Sequence, residues 1–270
     1  MDIKIIEKNH ESIKFIIEDF EPSFVNSLRR IMLAEVPTLA IEDVWIVENS
    51  SPLYDEIIAK RLGLIPIKTD LESFVLPDDC SCGGTGCPQC QVAFTLRKET
   101  AEAEGSTVYS GDLESQDPES IPSSAKIPIV KLEKGQKIVL EAYAKLGQGM
   151  KHAKWQAVGT CSFSYLPIIN INYEKCTGCG TCAKECPHNL IRIVDERIFI
   201  ENILDCSLCK ICENACEENA IKISWNKNNC ILKVESTGAL PPERIVIEAA
   251  TILKNKGKEL QEKLEDLEEL

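Results

Sequence analysis

Residues 176–216 contain one cysteine pattern twice, as Cys176-Thr-Gly-Cys179-Gly-Thr-Cys182-Ala-Lys-Glu-Cys186 and as Cys206-Ser-Leu-Cys209-Lys-Ile-Cys212-Glu-Asn-Ala-Cys216. Both copies read C-x2-C-x2-C-x3-C, and each cysteine of the second copy lies 30 residues after its counterpart in the first. A fixed period that includes both the cysteines and the apolar residues after them indicates a duplicated structural unit.

The spacing of this repeat favours iron–sulfur clusters as the bound groups. Three cysteines separated by two residues each can aim their thiolates at one cluster from a single tight loop, and in two-cluster ferredoxins the fourth cysteine ligates the other cluster. Two zinc sites are the alternative, which the duplicated spacing disfavours. We therefore predict two [4Fe-4S] clusters, one on Cys176, Cys179, Cys182 and Cys216, the other on Cys206, Cys209, Cys212 and Cys186.

A second group of four cysteines lies upstream, in Cys80-Ser-Cys82-Gly-Gly-Thr-Gly-Cys87-Pro-Gln-Cys90. Its glycines let the backbone fold back so that four sulfurs can converge tetrahedrally, which predicts a structural zinc site on these cysteines. The alternative is a reduced, empty loop. Two further cysteines, Cys161 and Cys230, stand alone in strand-like stretches and are interpreted as small buried apolar side chains.

The composition of the chain bounds its location and its partners. The sequence has 14 cysteines and begins without a signal-peptide pattern, so we expect reduced metal ligands in a cytoplasmic protein. The net charge of -13 argues against a large phosphate-binding surface, and we expect no direct, specific contact with DNA. No apolar run approaches the ~18 residues that span a membrane. Since no catalytic triad, phosphate loop or paired acids occur, we expect no catalytic residues.

Hydrophobic periodicity predicts the elements on either side of the repeat. Residues 3–18 alternate around a polar turn and predict a β-hairpin, and residues 22–36 predict a helix with a broad apolar face. Residues 99–124 include seven acids and no lysine or arginine, which predicts a long exposed loop. Residues 241–267 predict a long helix whose Leu253, Leu260 and Leu267 form a seam seven residues apart. That seam suits either a partner helix or the chain's own core.

Four stretches outside the repeat closely resemble the D family of archaeal DNA-directed RNA polymerase subunits. That family is similar to the third-largest subunit of eukaryotic RNA polymerase II and to the N-terminal domain of the bacterial α subunit. The cysteine loop also resembles the zinc loop of the eukaryotic relative, with one spacer a residue longer. The matching stretches are Phe24–Val44, Asn49–Pro66, Val108–Leu113 with Gly149–Trp155, and Glu235–Leu253.

The resemblance implies an α+β fold with three parts. A discontinuous α-subunit-type dimerisation domain would comprise residues 1–46 and 224–270, and a mostly β insert domain with the zinc loop would comprise residues 47–167. Residues 168–223 would form a ferredoxin-like domain with two [4Fe-4S] clusters. The dimerisation domain would pair with subunit L through residues 22–36 and 241–267.

Two classes of function are compatible with these patterns. The resemblance implies a non-catalytic assembly platform for the other small subunits and the large catalytic subunits of RNA polymerase. The cysteine repeat alone would fit a ferredoxin-type electron-transfer subunit of an oxidoreductase, but its position inside a polymerase-type domain favours the platform. The clusters would stabilise a segment too small for a large core, or would sense redox state or iron.

Overall fold

The structure is a computed structural model that describes residues 2–101 and 105–268 of the chain; two acids of the predicted 99–124 loop, Glu102 and Glu104, lie outside the described residues. The strands are β1 (Asp2–Lys8), β2 (Ser12–Glu18), β3 (Pro37–Asn49), β4 (Gln91–Glu99), β5 (Ser106–Tyr109), β6 (Glu114–Ser115), β7 (Pro128–Leu132), β8 (Lys137–Gln148), β9 (Val158–Ile171), β10 (Ile191–Val194), β11 (Arg197–Ile200) and β12 (Ile221–Ser236). The helices are α1 (Pro22–Ala34), α2 (Asp55–Gly63), α3 (Thr181–Lys184), α4 (Ile211–Asn214) and α5 (Pro242–Glu268). In this part of the chain, no helix has the length and apolar character needed to cross a membrane.

The fold mixes helices with sheets, and sheets form most of it. Packing divides the described residues into two compact, discontinuous units. Unit 1 takes them from 1–8, 14–26 and 162–233, and unit 2 from 9–13, 27–161 and 234–270. This division into two is coarser than the predicted three domains, whose bounds remain a prediction.

Unit 2 is built around an antiparallel sheet of four strands in the order β3-β8-β4-β6. In the register of β4 and β8, Phe94 lies opposite Ala142, and both side chains are buried. Helix α2 adds Ile58 and Leu62 to the same core, which excludes water almost completely. Burial of apolar side chains at this density is the main stabilising contribution to such a unit.

The predicted exposed loop at residues 99–124 is wrong at residues 106–115, where short ordered elements and buried side chains interrupt it. Strand β5 pairs with β7, strand β6 pairs with β4, and Val108 is fully buried. The carboxylate of Asp112 accepts a hydrogen bond from the Tyr109 backbone amide and forms a 2.7 Å ion pair with Lys98. The acids of this segment therefore do not prevent it from folding. Asp112 is held by its hydrogen bond and its ion pair, and the apolar side chain of Val108 packs in the core.

A close approach between strand β8 and an indole ring leads to a stability prediction. A Cβ atom at Gly147 would overlap the ring of Trp155, whereas a Cβ at Gly257 in helix α5 would meet nothing within 4 Å. We expect Gly147→Ala to lower the free energy of unfolding by about 1–3 kcal/mol through overpacking. The control Gly257→Ala should not lower it, because the added Cβ meets no neighbour and alanine favours a helix more than glycine does. Urea unfolding midpoints measure both changes, and equal midpoints would contradict the close packing at Gly147.

Unit 1 contains a sheet with the strand order β1-β2-β12-β9 and a separate antiparallel pair, β10 with β11. The predicted hairpin at residues 3–18 is confirmed as strands β1 and β2, with the Asn9 side chain accepting hydrogen bonds from the Glu11 and Ser12 amides in the turn. The small core around the cysteine repeat combines Ile191, Ile198, Ile221 and Ile223 with the cysteines themselves. A core this small gives the segment limited stability of its own.

Helices α1 and α5 confirm the two predicted long helices within two residues at each end. Leu28, Ile31 and Met32 of α1 are buried within the chain, so they offer no open apolar surface for a partner. Ile245 and Ala249 near the start of α5 are buried too. Every side chain from residue 254 to residue 266 is exposed, so the second half of this helix lacks tertiary cover in the isolated chain.

Candidate metal centres

The cysteine loop at residues 80–90 folds back on itself before strand β4 begins. Gly83, Gly84 and Gly86 all have positive φ angles, of 64°, 78° and 100°. Glycine adopts this left-handed region without the steric penalty that a Cβ imposes, so the sequence of the loop permits the reversal. A side chain at Gly86 would also collide with Gln91, whose Oε1 would lie 2.6 Å from the added Cβ.

The reversal brings four thiol groups together. The sulfurs of Cys80, Cys82, Cys87 and Cys90 all lie within 4.8 Å of one another. Four of the sulfur–sulfur distances are 3.5, 3.5, 3.5 and 3.8 Å. A tetrahedral zinc ion with Zn–S bonds of about 2.3 Å would hold its sulfurs about 3.8 Å apart, whereas a disulfide needs about 2.05 Å. The predicted ligands therefore form a site with zinc-like dimensions.

The electrostatics of this loop favour at least one thiolate at neutral pH. A hydrogen bond from the Gly86 amide, followed by the hydrogen-bonded contact with the Cys80 sulfur, lowers the pKa of Cys82 to about 6. Burial raises the pKa of Cys90 to about 12, so that this group is a thiol until a metal displaces its proton. A metal ion would replace these sulfur–sulfur hydrogen bonds as the group that holds the loop together.

We expect the chain to bind one zinc ion at this loop, independently of iron. A variant with Cys80, Cys82, Cys87 and Cys90 all changed to serine should lose zinc and keep its iron, because serine is a poor ligand for zinc. Metal analysis of the purified protein measures both. A zinc content unchanged from wild type would place that metal elsewhere in the chain.

The two cysteine repeats adopt matching backbone structures in unit 1. Helix α3 begins after Gly180 and helix α4 begins after Lys210, which are equivalent positions 30 residues apart. Asn189 and Asn219, also equivalent, both have left-handed φ angles, of 52° and 50°. Each follows the last cysteine of its repeat and donates its amide to the carbonyl of that cysteine, at 3.1 and 3.0 Å. The duplication in the sequence is thus a duplication in backbone geometry.

The structure gathers the eight cysteines of the repeats into the two predicted sets. The first set lines a cavity of about 180 Å³ that is walled by Ile193 and Ile198. The second set lines a smaller cavity of about 20 Å³, walled by Ile169, Ile191 and Ile223. Each cavity therefore takes three cysteines from one repeat and the fourth from the other: Cys176, Cys179, Cys182 and Cys216, and Cys186, Cys206, Cys209 and Cys212.

The sulfurs in these two cavities are too far apart for one zinc ion. Ligands on a single zinc at about 2.3 Å cannot be separated by more than about 4.6 Å. Outside the loop at residues 80–90, the described residues include no three cysteine, histidine or acidic ligand atoms within 4.8 Å of one another. A group with several metal atoms, such as a [4Fe-4S] cluster, fits this wider spacing and the apolar walls.

Hydrogen bonds and burial distinguish the cysteines of the repeats. The amide of Ala220 donates to the Cys216 sulfur at 3.2 Å, a contact of the kind that stabilises a thiolate ligand. The Thr181 hydroxyl lowers the pKa of Cys179, while burial raises the pKa of Cys212 to about 11. A metal centre would therefore have to displace protons from the buried members of each set.

Two cysteines stay outside all three groups. Cys230 is fully buried in strand β12, as predicted for a small apolar side chain. Cys161 is only partly buried; burial raises its pKa to about 11, and the nearby charge of Arg29 opposes that rise. Neither belongs to a group of three or more potential metal ligands among the described residues.

One neighbour of the second cavity could not be identified from the sequence. The ammonium of Lys210 lies 5.5 Å from the ring centroid of Trp225, and that indole stacks on Tyr165. Trp225 lies outside both cysteine repeats and is not part of any sequence motif identified above. Only the pairing of strands β9 and β12 brings these side chains beside the cysteine loop.

Comparison with known proteins places this chain in a family. The family described as the RNA polymerase Rpb3/Rpb11 dimerisation domain matches residues 14–256. A protein of Methanosarcina acetivorans is 43% identical and one of Archaeoglobus fulgidus is 42% identical, each over 99% of both chains. A protein of Methanothermobacter thermautotrophicus is 35% identical over 96% of this chain and 97% of its own. All three relatives are named DNA-directed RNA polymerase subunit Rpo3. The chain therefore belongs to the RNA polymerase Rpb3/Rpb11 dimerisation-domain family.

Proposed function

We propose that this chain is a non-catalytic assembly subunit of an archaeal DNA-directed RNA polymerase, where it pairs with subunit L. The pair would serve as the platform for the other small subunits and the large catalytic subunits. The proposal rests on the family membership and on relatives that are named as polymerase subunits over nearly their whole length.

The uncovered half of helix α5 is the observation that carries the proposal. Leu260 and Leu264 are 60% and 53% exposed, and no side chain between residues 254 and 266 is covered. A helical segment of this length has little stability in water unless a second surface packs on its apolar face. In a family named for dimerisation, a partner helix that covers Leu260 and Leu264 is the simplest source of that surface.

The partner would contact α5 more than α1. Most of the apolar residues of α1 are buried, among them Leu28, Ile31 and Met32, whereas Glu35 just after this helix forms a 2.6 Å ion pair with Lys256 of α5. The Lys256 side chain of that pair is half exposed, so the pair contributes little to stability and does not replace an apolar partner. The predicted dimerisation domain of residues 1–46 and 224–270 would thus offer the end of α5 as its open contact.

The proposal also assigns a bound metal group to each of the three cysteine sets. The first and second cysteine sets would each hold a [4Fe-4S] cluster, and Cys80, Cys82, Cys87 and Cys90 would hold zinc. The cavities, their apolar walls and their sulfur spacing support these assignments. Such a cluster, when bound, can take up or release one electron, and its ligands cross-link residues 168–223 around a small core. Because the ligands must stay reduced, we place the protein in the cytoplasm.

An electron-transfer subunit of an oxidoreductase is the second candidate function. The exposed Cys179 and Cys209 favour it, because they would leave an edge of each cluster open to a redox partner. Purification of the tagged chain from its host distinguishes the two. The platform predicts recovery of subunit L and the large polymerase subunits in equal amounts. Recovery of an oxidoreductase without polymerase subunits would overturn it.

A further inference from the structure

The two cluster loops have the same backbone but different residues at its left-handed positions. In the first loop these positions are Gly178 and Gly180, with φ angles of 70° and 79°. In the second loop they are Leu208 and Lys210, with φ angles of 58° and 60°. The conformation that brings three thiols to one point is thus the same, but only the first loop uses glycine to reach it.

This difference makes the second loop strained. A side chain in the left-handed region brings Cβ too close to the following carbonyl oxygen, and neither leucine nor lysine can relieve this as asparagine does. The penalty per residue corresponds to a factor of roughly 5 to 30 in an equilibrium constant. Without a ligand to hold the thiols together, the second loop can relax to ordinary φ angles, whereas the first loop gains nothing by doing so.

The contacts that hold the first loop in place also differ from those that hold the second loop. A Cβ added to Gly178 would lie 2.9 Å from the backbone oxygen of Glu196, so the first loop lies tightly against the β10–β11 turn. The second loop is held by Leu208 against the small core, by a 3.0 Å contact of Ser207 with His188, and by Lys210 over Trp225. Strained residues persist only where neighbours hold them, and the side chain of Lys210 is held by a cation–π contact with one flexible partner. The second cavity is also the smaller, about 20 Å³ against 180 Å³.

We propose that the second site, on Cys206, Cys209, Cys212 and Cys186, is an exchangeable cluster site, and that the first is permanent. This inference rests on the proposed function of both sets as cluster ligands. The second site is the last to fill and the first to empty, so a four-iron form precedes the eight-iron form when iron is scarce. On emptying, its Fe–S(Cys) bonds break and its two Fe(II) and two Fe(III) ions pass to a chelating acceptor. The four sulfides leave as hydrogen sulfide, and the four cysteine thiolates become thiols, with protons taken from water in both cases.

Iron removal from the whole chain tests this order. The reconstituted protein is exposed anaerobically to the ferrous-iron chelator bathophenanthroline disulfonate with dithionite as the reductant, which converts the two ferric irons of each cluster to ferrous iron, and iron release is followed over time. We expect two phases of about four irons each. Cys209→Ser should abolish the fast phase, and Cys179→Ser should abolish the slow one. Trp225 fluorescence should change with the fast phase, as Lys210 leaves the indole.

Substitutions at the equivalent positions 180 and 210 test how much the left-handed backbone contributes to the rate of iron release. Lys210→Gly should slow the fast phase by about tenfold, whereas Lys210→Ala removes the same side chain but keeps the strain, and should not slow it. Gly180→Ala should quicken the slow phase several-fold, since the new Cβ would meet only Ile193 at 3.9 Å and would add strain without a clash.

The outcomes separate this inference from the function on which it rests. A chain that binds fewer than about eight irons at saturation overturns the assignment of two clusters, and this inference with it. A chain that binds eight irons but releases them in one phase, or whose Lys210→Gly and Lys210→Ala variants lose iron equally fast, overturns only the exchangeable site.

Discussion

Changing Cys176 or Cys206 to serine should halve the iron content of the reconstituted chain and loosen residues 168–223. The wild-type chain should bind about eight irons and eight sulfides, and each variant about four of each, because each cysteine belongs to one cluster. The structure explains why these variants should also loosen residues 168–223. The core of this segment includes Cys182 and Cys212 among its buried residues, so the cluster ligands are also its packing contacts. Iron and sulfide analysis, with limited proteolysis of residues 168–223, measures both effects.

Cys161→Ser is the matched control for these two variants. This cysteine is partly buried, lies outside every predicted ligand set, and belongs to no group of three or more potential metal ligands among the described residues. We expect it to keep all eight irons. Four irons in the wild-type chain, or zinc in place of iron, would contradict the assignment of two clusters.

Leu260→Asp should abolish stable pairing with subunit L and leave the isolated chain folded. In the free chain this side chain is 60% exposed, so an aspartate there remains hydrated. In the proposed complex the carboxylate would be buried without a partner, which opposes binding by at least a few kcal/mol, or roughly a hundredfold in affinity. Co-purification with subunit L and thermal unfolding of the free chain measure the two effects.

Gln261→Asp provides the matched control on the same helix. It adds the same charge one residue along α5, about 100° around the helix axis from Leu260. Its side chain is exposed and makes a hydrogen bond only to Glu265 one turn away. We expect binding to change little. Loss of binding in both variants would indicate a general effect of charge, and unfolding of the free Leu260→Asp chain would place this side chain in the chain's own core.

Local sequence patterns were sufficient for much of the fold. The hairpin of strands β1 and β2 and helices α1 and α5 lie where periodicity and turn residues predict them. The repeat of 30 residues predicts two loops of equal backbone geometry, and the structure has them. These features depend on residues close together in the chain, where spacing and turn chemistry are read directly.

The candidate ligands illustrate the same point. Cysteine spacing alone grouped the eight ligands of the repeats and the four of the upstream loop, and the structure gathers those same groups. Spacing works here because a metal centre requires a small number of side chains at one point, and short loops have few ways to deliver them. The identity of the bound metals remains a prediction.

What the sequence by itself determined, then, is the set of local elements and the grouping of the cysteines. Only the tertiary structure decided which apolar faces are covered. It buried Leu28, Ile31 and Met32 but left Leu260 and Leu264 exposed, although both helices show similar apolar periodicity. It also folded an acidic segment into strands β5 and β6 and placed Lys210 of a left-handed loop beside Trp225. Burial, strand pairing and backbone strain depend on contacts between residues that are distant in the chain. Apolar periodicity shows that a helix needs a surface to pack against, but it does not show where that surface lies.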